Sequence, residues 1–167
     1  VDTGSLVDNT VALRERIARS EIHGPRILTA GMPLYPYNGI PFYLRDLPPE
    51  VLAAMPQPEQ ADEALEVVRK NLDGGADATK LFVMTPQGGG KSAFMAEDVA
   101  RSAAEETHRR GRLVFAHPTD IQGMRIAIAS GVDVLVHTTI GDAKTVWEPE
   151  LIADLLKHDM AVIPTLK

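Results

Sequence analysis

The sequence contains no cysteine, which excludes a disulfide-stabilised scaffold, a cysteine nucleophile and a zinc site built from thiolates. It contains no apolar run near the ~18–20 residues that cross a bilayer, which excludes a membrane-spanning protein. Basic residues are also few, because 17 Lys and Arg against 23 Asp and Glu give a net charge of −6. A nucleic-acid-binding domain usually carries a basic surface, so nucleic acid is excluded as a partner.

The start of the chain lacks both a methionine and a targeting segment. Val1 is the first residue, and no basic segment followed by an apolar stretch marks a signal peptide. We therefore expect the natural start to lie upstream, and the sequence does not specify a compartment. What is present suits a globular domain: 167 residues, 44% of them apolar and 24% charged, are enough to bury a sizeable core.

Amphipathic helices alternate with short apolar strands along the chain. Hydrophobic spacing predicts helices at 9–20, 59–72, 96–110, 121–130 and 148–158, and strands at 26–30, 77–84, 113–116, 132–136 and 160–164. Repeated units with nearly continuous apolar strands predict a parallel sheet covered by helices. The sheet is either doubly wound or part of a (β/α) barrel, and in both architectures function lies at the carboxyl ends of the strands.

A long proline-rich segment, residues 31–58, separates the first predicted strand from the next helix. Loops of this length inside compact domains usually serve function or cover another part of the molecule. Its aromatic residues Tyr35, Tyr37, Phe42 and Tyr43 either line a substrate pocket or seal one end of a barrel, and we favour the seal.

Two histidines follow consecutive strands at equivalent positions. His117 ends the strand at 113–116 and His137 ends the strand at 132–136, so a parallel sheet places both imidazoles at one rim. Neutral imidazole is a common metal ligand, and two such rings with a carboxylate and water suit a divalent ion. The alternative is that each histidine is a hydrogen-bonded residue of the rim without a ligand.

Lys80 is unusual because its neighbours in the strand are apolar. A buried ammonium without a partner is costly and tends to lose its proton. Lys80 therefore either pairs with a carboxylate of a neighbouring strand, extends its head to the rim, or is a neutral amine. A neutral amine is able to act as a Schiff-base nucleophile or to take up CO₂ as a carbamate that ligates metal.

The segment Gln87-Gly88-Gly89-Gly90-Lys91-Ser92 ends like a nucleotide phosphate loop, but position 85, where that pattern requires its first glycine, is Thr85. We therefore predict a mobile loop over the strand-end face, in which Gly88, Gly89 and Gly90 allow a substrate to approach the backbone. The alternative is a non-catalytic α/β domain that binds a small anion at this loop.

Several segments resemble the amidohydrolase superfamily, and its imidazolonepropionase-like and dipeptidase-like metal-dependent hydrolases most closely. Residues 75–80 with the apolar run after them resemble the fourth barrel strand, 106–117 the fifth, 131–139 the sixth and 160–166 the seventh. Residues 1–5 resemble the end of the second strand and 24–31 the third. The resemblance covers essentially the whole chain, with its motifs in family order.

The resemblance implies a (β/α)8 TIM-type barrel with parallel strands, outer helices and one or two divalent metal ions, zinc by default. Metal-activated water would hydrolyse amide, cyclic amide or ester bonds of a small-molecule substrate. Lys80 would be the lysine that carries the CO₂-derived carbamate, and His117 and His137 would be the ligands from the fifth and sixth strands.

The chain also departs from the family pattern. The His-x-His pair of the first strand and the aspartate of the eighth are absent, so no catalytic proton-transfer residue is assigned, and Thr119 stands where many relatives have a second histidine. We therefore expect residues 1–167 to be an incomplete barrel spanning strands two or three through seven of a longer enzyme. Alone it would be inactive, and it would be stabilised by self-association or by the missing segments.

Overall fold

A computed structural model describes residues 1–138 and 147–165 of the chain. The helices are α1 (Val7–Ala18), α2 (Pro49–Ala53), α3 (Ala61–Asp73), α4 (Glu97–Arg109), α5 (Ile121–Ala129) and α6 (Pro149–Lys157), with a 3-10 turn at Phe42–Leu44. The strands are β1 (Ala78–Phe82), β2 (Met84–Gly88), β3 (Lys91–Phe94), β4 (Leu113–His117), β5 (Val134–Val136) and β6 (Ala161–Ile163). No helix in these two ranges is long and apolar enough to cross a bilayer.

The central sheet is parallel and its strands follow one another in the order β1-β4-β5-β6. Isolated parallel bridges continue the same order on the other side, where Leu34 pairs with Leu81 and Asp2 with Thr29. A doubly wound sheet reverses its strand order at a switch point. The described strands show no reversal, so they form an arc of a barrel with helices outside, as predicted.

The sheet buries an apolar layer on each face, because successive side chains of a strand point to opposite sides. On the helical side, Leu81, Ala116 and Leu135 pack with the apolar faces of α3, α4, α5 and α6. On the inner side, a smaller cluster is formed by Ala30, Ala78, Phe115, Val134 and Val136. Burial on both faces explains why the strands read as continuous apolar runs.

The predicted helices are confirmed to within a few residues at each end. Local signals explain their limits: a capping box of Gln60 and Glu63 begins α3, and the Asp120 carboxylate accepts a hydrogen bond of 2.7 Å from the Gly123 amide at the start of α5. Gly111 and Gly131 follow α4 and α5 with φ of +66° and +75°, a conformation that favours glycine.

Two predicted strands differ. Residues 26–30 form only the bridge at Thr29, because the neighbouring segment supplies a partner at Asp2 alone. The predicted strand 77–84 divides after Phe82, where the chain leaves the sheet and enters a hairpin of β2 and β3. Positions 139 and 166, which end the segments that resemble the sixth and seventh strands, lie outside the described residues.

Glu106 of α4 holds three arginines against the α3–α4 interface. Its carboxylate is 3% exposed and lies 3.2 Å from Arg69, 2.5 Å from Arg109 and 3.4 Å from Arg110. The hydrogen bonds from Arg109 and Arg69 lower the pKa of Glu106 to about 2. A carboxylate favoured in the folded state stabilises the fold above its usual pKa of 4.5, and this contribution is lost as pH falls towards 2.

Glu106→Gln is therefore expected to lower the melting temperature at pH 7 by roughly 5 °C, because the amide leaves the arginines without their anion. The exposed neighbour makes a matched control, and Glu105→Gln should leave the melting temperature nearly unchanged. The difference between the two variants should shrink below pH 4.5. Equal melting temperatures at pH 7 would contradict a stabilising role of the cluster.

Candidate functional site

Lys80 lies in the middle of β1, opposite Phe115 of β4, and its side chain is directed to the inner face of the arc. The residue is only 1% exposed, and Nζ has no hydrogen-bond partner among the described residues. Its nearest aromatic neighbour is Phe82, whose ring centroid lies 5.4 Å from Nζ. Within the described ranges, Lys80 makes no ion pair and does not extend to solvent, so those two explanations of a buried lysine are wrong.

Burial lowers the pKa of the Lys80 amine from 10.5 to about 7. Desolvation disfavours the ammonium, and no carboxylate of the described residues offsets this effect. Near neutral pH, a substantial fraction of the side chain is therefore a neutral amine, the form that acts as a nucleophile.

His117 ends β4 beside Phe82, with the two ring centroids 4.8 Å apart. Its Nδ1 is buried without a hydrogen-bond partner. Burial, followed by the nearby Lys80 and His137, lowers the pKa of His117 to about 4. The imidazole is therefore neutral at physiological pH, which is the protonation state that ligates metal.

His137 follows β5 immediately, and its ring centroid lies 5.5 Å from that of His117. Its φ of +57° is left-handed, which is uncommon for a residue with a side chain and turns the chain at the end of the strand. Burial and the nearby Lys80 lower the pKa of the His137 imidazole, although the residue is exposed overall. The tertiary structure thus brings the three predicted residues to one end of the sheet.

Two threonines near this rim also have buried hydroxyl groups without a hydrogen-bond partner among the described residues. Thr119, two residues after β4, and Thr138, two residues after β5, each bury a hydroxyl without a hydrogen-bond partner. Together with Lys80 Nζ and His117 Nδ1, they are the four buried side-chain atoms without a partner in the described part of the chain. Buried polar groups are almost always hydrogen-bonded, so these four atoms, which lie within or just after β1, β4 and β5, are candidates for contact with a ligand.

Four rings form a row along the same rim, each from a different consecutive segment of the arc. Tyr35 follows the Leu34 bridge and stacks on Phe82 at 4.6 Å, and the row continues through His117 to His137. Sequence reasoning missed Phe82 and Thr138. Phe82 stands two residues after Lys80, and this period-two spacing is the signal that places both on one face.

The glycine-rich segment is a β-hairpin, so the predicted loop is wrong in its conformation. Gly89 and Gly90 form the turn between β2 and β3, with φ of +58° and +73°. Gly88 lies close to Phe42, and the Gln87 side chain contacts Arg45. The glycines are thus required by the turn.

The anion-binding alternative gains no support from the hairpin. A phosphate loop leads directly into a helix whose amino terminus faces the anion. Here strand β3 intervenes, and the first turn of α4 carries Glu97 and Asp98, two negative charges.

The described residues contain no group of three or more His, Cys, Asp or Glu side chains that would hold a metal ion. Among the described residues, two imidazoles are available at the rim, and Lys80 is a further candidate donor near them. A neutral amine, or the carbamate that it forms with CO₂, has the oxygen or nitrogen chemistry of a divalent-metal ligand. The unpartnered Lys80 Nζ and His117 Nδ1 therefore fit such an ion.

The fold and its strand-end rim place the chain among the α/β barrels with function at the carboxyl ends of their strands. Among solved structures, it is similar to a Xaa-Pro dipeptidase, to the ochratoxinase of A. niger and to molinate hydrolase, each with a TM-score of 0.75. The sequence identities are 20%, 19% and 22% over 97%, 96% and 96% of this chain.

These similarities confirm the barrel-type fold that the resemblance to the amidohydrolase superfamily implies. The chain spans only about two fifths of the length of these solved structures, at 40%, 40% and 39%. No family model matches the sequence, and no curated protein matches it either.

Proposed function

We propose that this chain is part of a metal-dependent hydrolase that cleaves amide, cyclic amide or ester bonds in a small-molecule substrate. One or two divalent ions, with zinc as the first candidate, would be held by Lys80, His117 and His137. The observation that carries the proposal is the cluster of four buried, unpartnered polar atoms at the carboxyl end of the sheet. His117, Thr119 and Thr138 lie at or just after the carboxyl ends of their strands, where barrel enzymes place their chemistry, and Lys80 lies two residues before the end of β1.

Each of the three residues has a defined role in the proposal. His117 and His137 present neutral imidazoles, because the pKa of each is lowered below its usual value. The neutral Lys80 amine would attack CO₂, forming an N–C bond and releasing a proton to water, which converts it into an anionic oxygen donor. A bound metal would supply Lewis-acid chemistry, lowering the pKa of water and polarising the scissile carbonyl.

Further protein segments would complete the site. The chain spans about two fifths of its structural neighbours, and the first-strand histidines and eighth-strand aspartate of the family pattern are absent from its sequence. Strand β6 pairs with β5, and all three of its residues are exposed. We propose that a longer parent chain, or a second copy, covers this edge and supplies the missing ligands and the proton-transfer group.

The substrate is not specified by the fold. The similar structures include a dipeptidase, a molinate hydrolase and a phenylurea hydrolase, so one architecture serves several substrates. We keep Gly88, Gly89 and Gly90 as proposed substrate contacts, because their turn has no side chains to block approach.

Metal content tests the proposal directly. Elemental mass spectrometry of this chain, and of the longest natural protein that contains it, should find one or two divalent ions per chain in the longer protein. Amide hydrolysis by that protein should stop after chelation and return with zinc. A metal-free protein that still hydrolyses amides would contradict the proposal, as would a metal-loaded protein in which His117→Ala retains the full metal content.

A further inference from the structure

The aromatic residues of this chain are concentrated beside the candidate site. The sequence has one Trp, three Tyr and four Phe, only 5% of its residues. Four of these form two pairs: Tyr35 stacks on Phe82 at 4.6 Å, and Phe42 contacts Tyr43 edge-on at 5.6 Å and lies close to Gly88 at the end of β2. After the larger effect of burial, Tyr43 also raises the pKa of Tyr35.

Phe82 links this group to the reactive residues. Its ring centroid lies 5.4 Å from Lys80 Nζ and 4.8 Å from that of His117, and Tyr35 stacks on it at a nearly parallel angle of 16°. Phe82 itself is half-buried, while Tyr43 is 54% exposed.

We propose that Phe82 and Tyr43, with Tyr35 holding Phe82 in position, form an aromatic wall that binds a flat, apolar ring of the substrate next to the bond that is cleaved. The inference rests on the proposed function for the position of that bond, and it adds the substrate class: an amide or ester that carries an aryl ring or a similarly flat ring. We refer to these three residues as the aromatic wall.

The chemistry of the wall selects for such a ring. Aromatic pairs are stabilised by stacked or edge-to-face geometry beyond the area they bury, and a puckered alkyl ring does not reproduce that geometry. A charged or strongly polar group would lose its hydration against Phe82 without gaining a hydrogen bond from that ring. An aromatic cluster that merely seals a barrel end has no such preference, because it would be covered by protein.

Fluorine NMR of the longest natural protein that contains this chain, labelled with 3-fluorotyrosine, tests the wall without requiring metal or turnover. Single Tyr→Phe substitutions assign the resonances of Tyr35, Tyr37 and Tyr43. Benzamide is expected to shift the Tyr35 and Tyr43 resonances saturably and to leave Tyr37 unchanged. Cyclohexanecarboxamide, which has the same number of heavy atoms but a puckered ring, should bind at least about 5-fold more weakly.

Matched variants locate the binding. Phe82→Leu should weaken benzamide binding about 10-fold, and Tyr43→Leu, at an exposed position that tolerates substitution, about 5-fold. Tyr37→Leu, at a similarly exposed tyrosine, should leave the affinity unchanged. The Tyr43 variant keeps the test valid if the Phe82 variant does not fold.

Three results would contradict the proposed aromatic wall: no saturable shift of the tyrosine resonances, equal shifts of all three tyrosines, or equal affinity for the two amides. The outcome is separable from that of the proposed function. Selective benzamide shifts in a protein that never binds metal would support the aromatic wall and contradict the proposed hydrolase function. Metal-dependent hydrolysis without selective shifts would support the hydrolase function and contradict the aromatic wall.

Discussion

Replacing His137 by alanine is expected to reduce amide hydrolysis by the longest natural protein that contains this chain at least about 10³-fold and to lower its metal content. The imidazole is one of only two that the described rim offers as metal ligands, so its removal leaves a ligand set that cannot be rebuilt locally. His137 is exposed, which means that the substitution removes little packing and that loss of activity should not follow from unfolding.

The control for this experiment is His158→Ala. His158 is also exposed, and it lies at the carboxyl end of α6, away from the strand-end rim. This variant should retain both activity and metal. Thermal melts of the two variants should agree within a few degrees, so that any difference in hydrolysis reports on the site. Full activity in His137→Ala would remove this residue from the proposed ligand set.

Lys80→Met should have opposite effects on function and on stability. Activity should be lost, because thioether sulfur cannot form a carbamate, whereas the free energy of unfolding of the metal-free chain at pH 7 should rise by about 3 kcal/mol. In the wild type, the Lys80 amine has a pKa of 10.5 in the unfolded chain, and burial in the folded chain lowers this pKa to about 7. Folding at neutral pH therefore requires loss of a proton or burial of an unpartnered charge.

The sign of the pH dependence follows from that shift. The penalty for Lys80 is full below pH 7, decreases as pH rises, and disappears above pH 10.5, where the unfolded chain also holds a neutral amine. Urea unfolding at pH 7 and pH 10 should therefore show a smaller advantage of Lys80→Met at the higher pH. Lys91→Met, at an exposed lysine of β3, should change stability little. A less stable Lys80→Met at pH 7 would show that the lysine has a partner.

A buried lysine that lowers the stability of the fold is expected where its side chain has a chemical role. Replacing the Lys80 amine by an apolar group would relieve its desolvation without breaking an ion pair among the described residues. A core position without a chemical role would therefore hold an apolar side chain. The same reasoning applies to His117, whose buried Nδ1 also lacks a partner. Natural proteins accept such local conflicts chiefly at functional sites.

Several features of the candidate site were predictable from the sequence. Lys80 interrupts an apolar strand, and His117 and His137 end consecutive strands, so strand-end logic alone placed the two histidines on one rim. The resemblance to amidohydrolases predicted the barrel-type fold, which the strand order and the similar structures support.

Other features required the three-dimensional structure. The contact between Tyr35 and Phe82 joins residues 47 positions apart, and the local hydrophobic periodicity does not predict it. The hairpin after β1 was predicted as a loop because three consecutive glycines carry no hydrophobic pattern, whereas pairing of Met84 with Phe94 makes the segment a pair of strands. The unpartnered state of Thr119 and Thr138 is likewise invisible in a list of residues.

The sequence by itself determined where the five longer helices and most strands of the parallel sheet lie, and it determined that His117 and His137 end consecutive strands. Hydrophobic periodicity indicates which side of a helix or strand faces the core, and glycines indicate where a helix ends. Both features can therefore be predicted without a structure. Only the tertiary structure decided which rings touch, that Lys80 is left without a partner and that the pKa values of Lys80 and His117 are lowered. Desolvation and pairing depend on everything within a few ångströms of an atom, and those neighbours come from strands that are distant in the sequence.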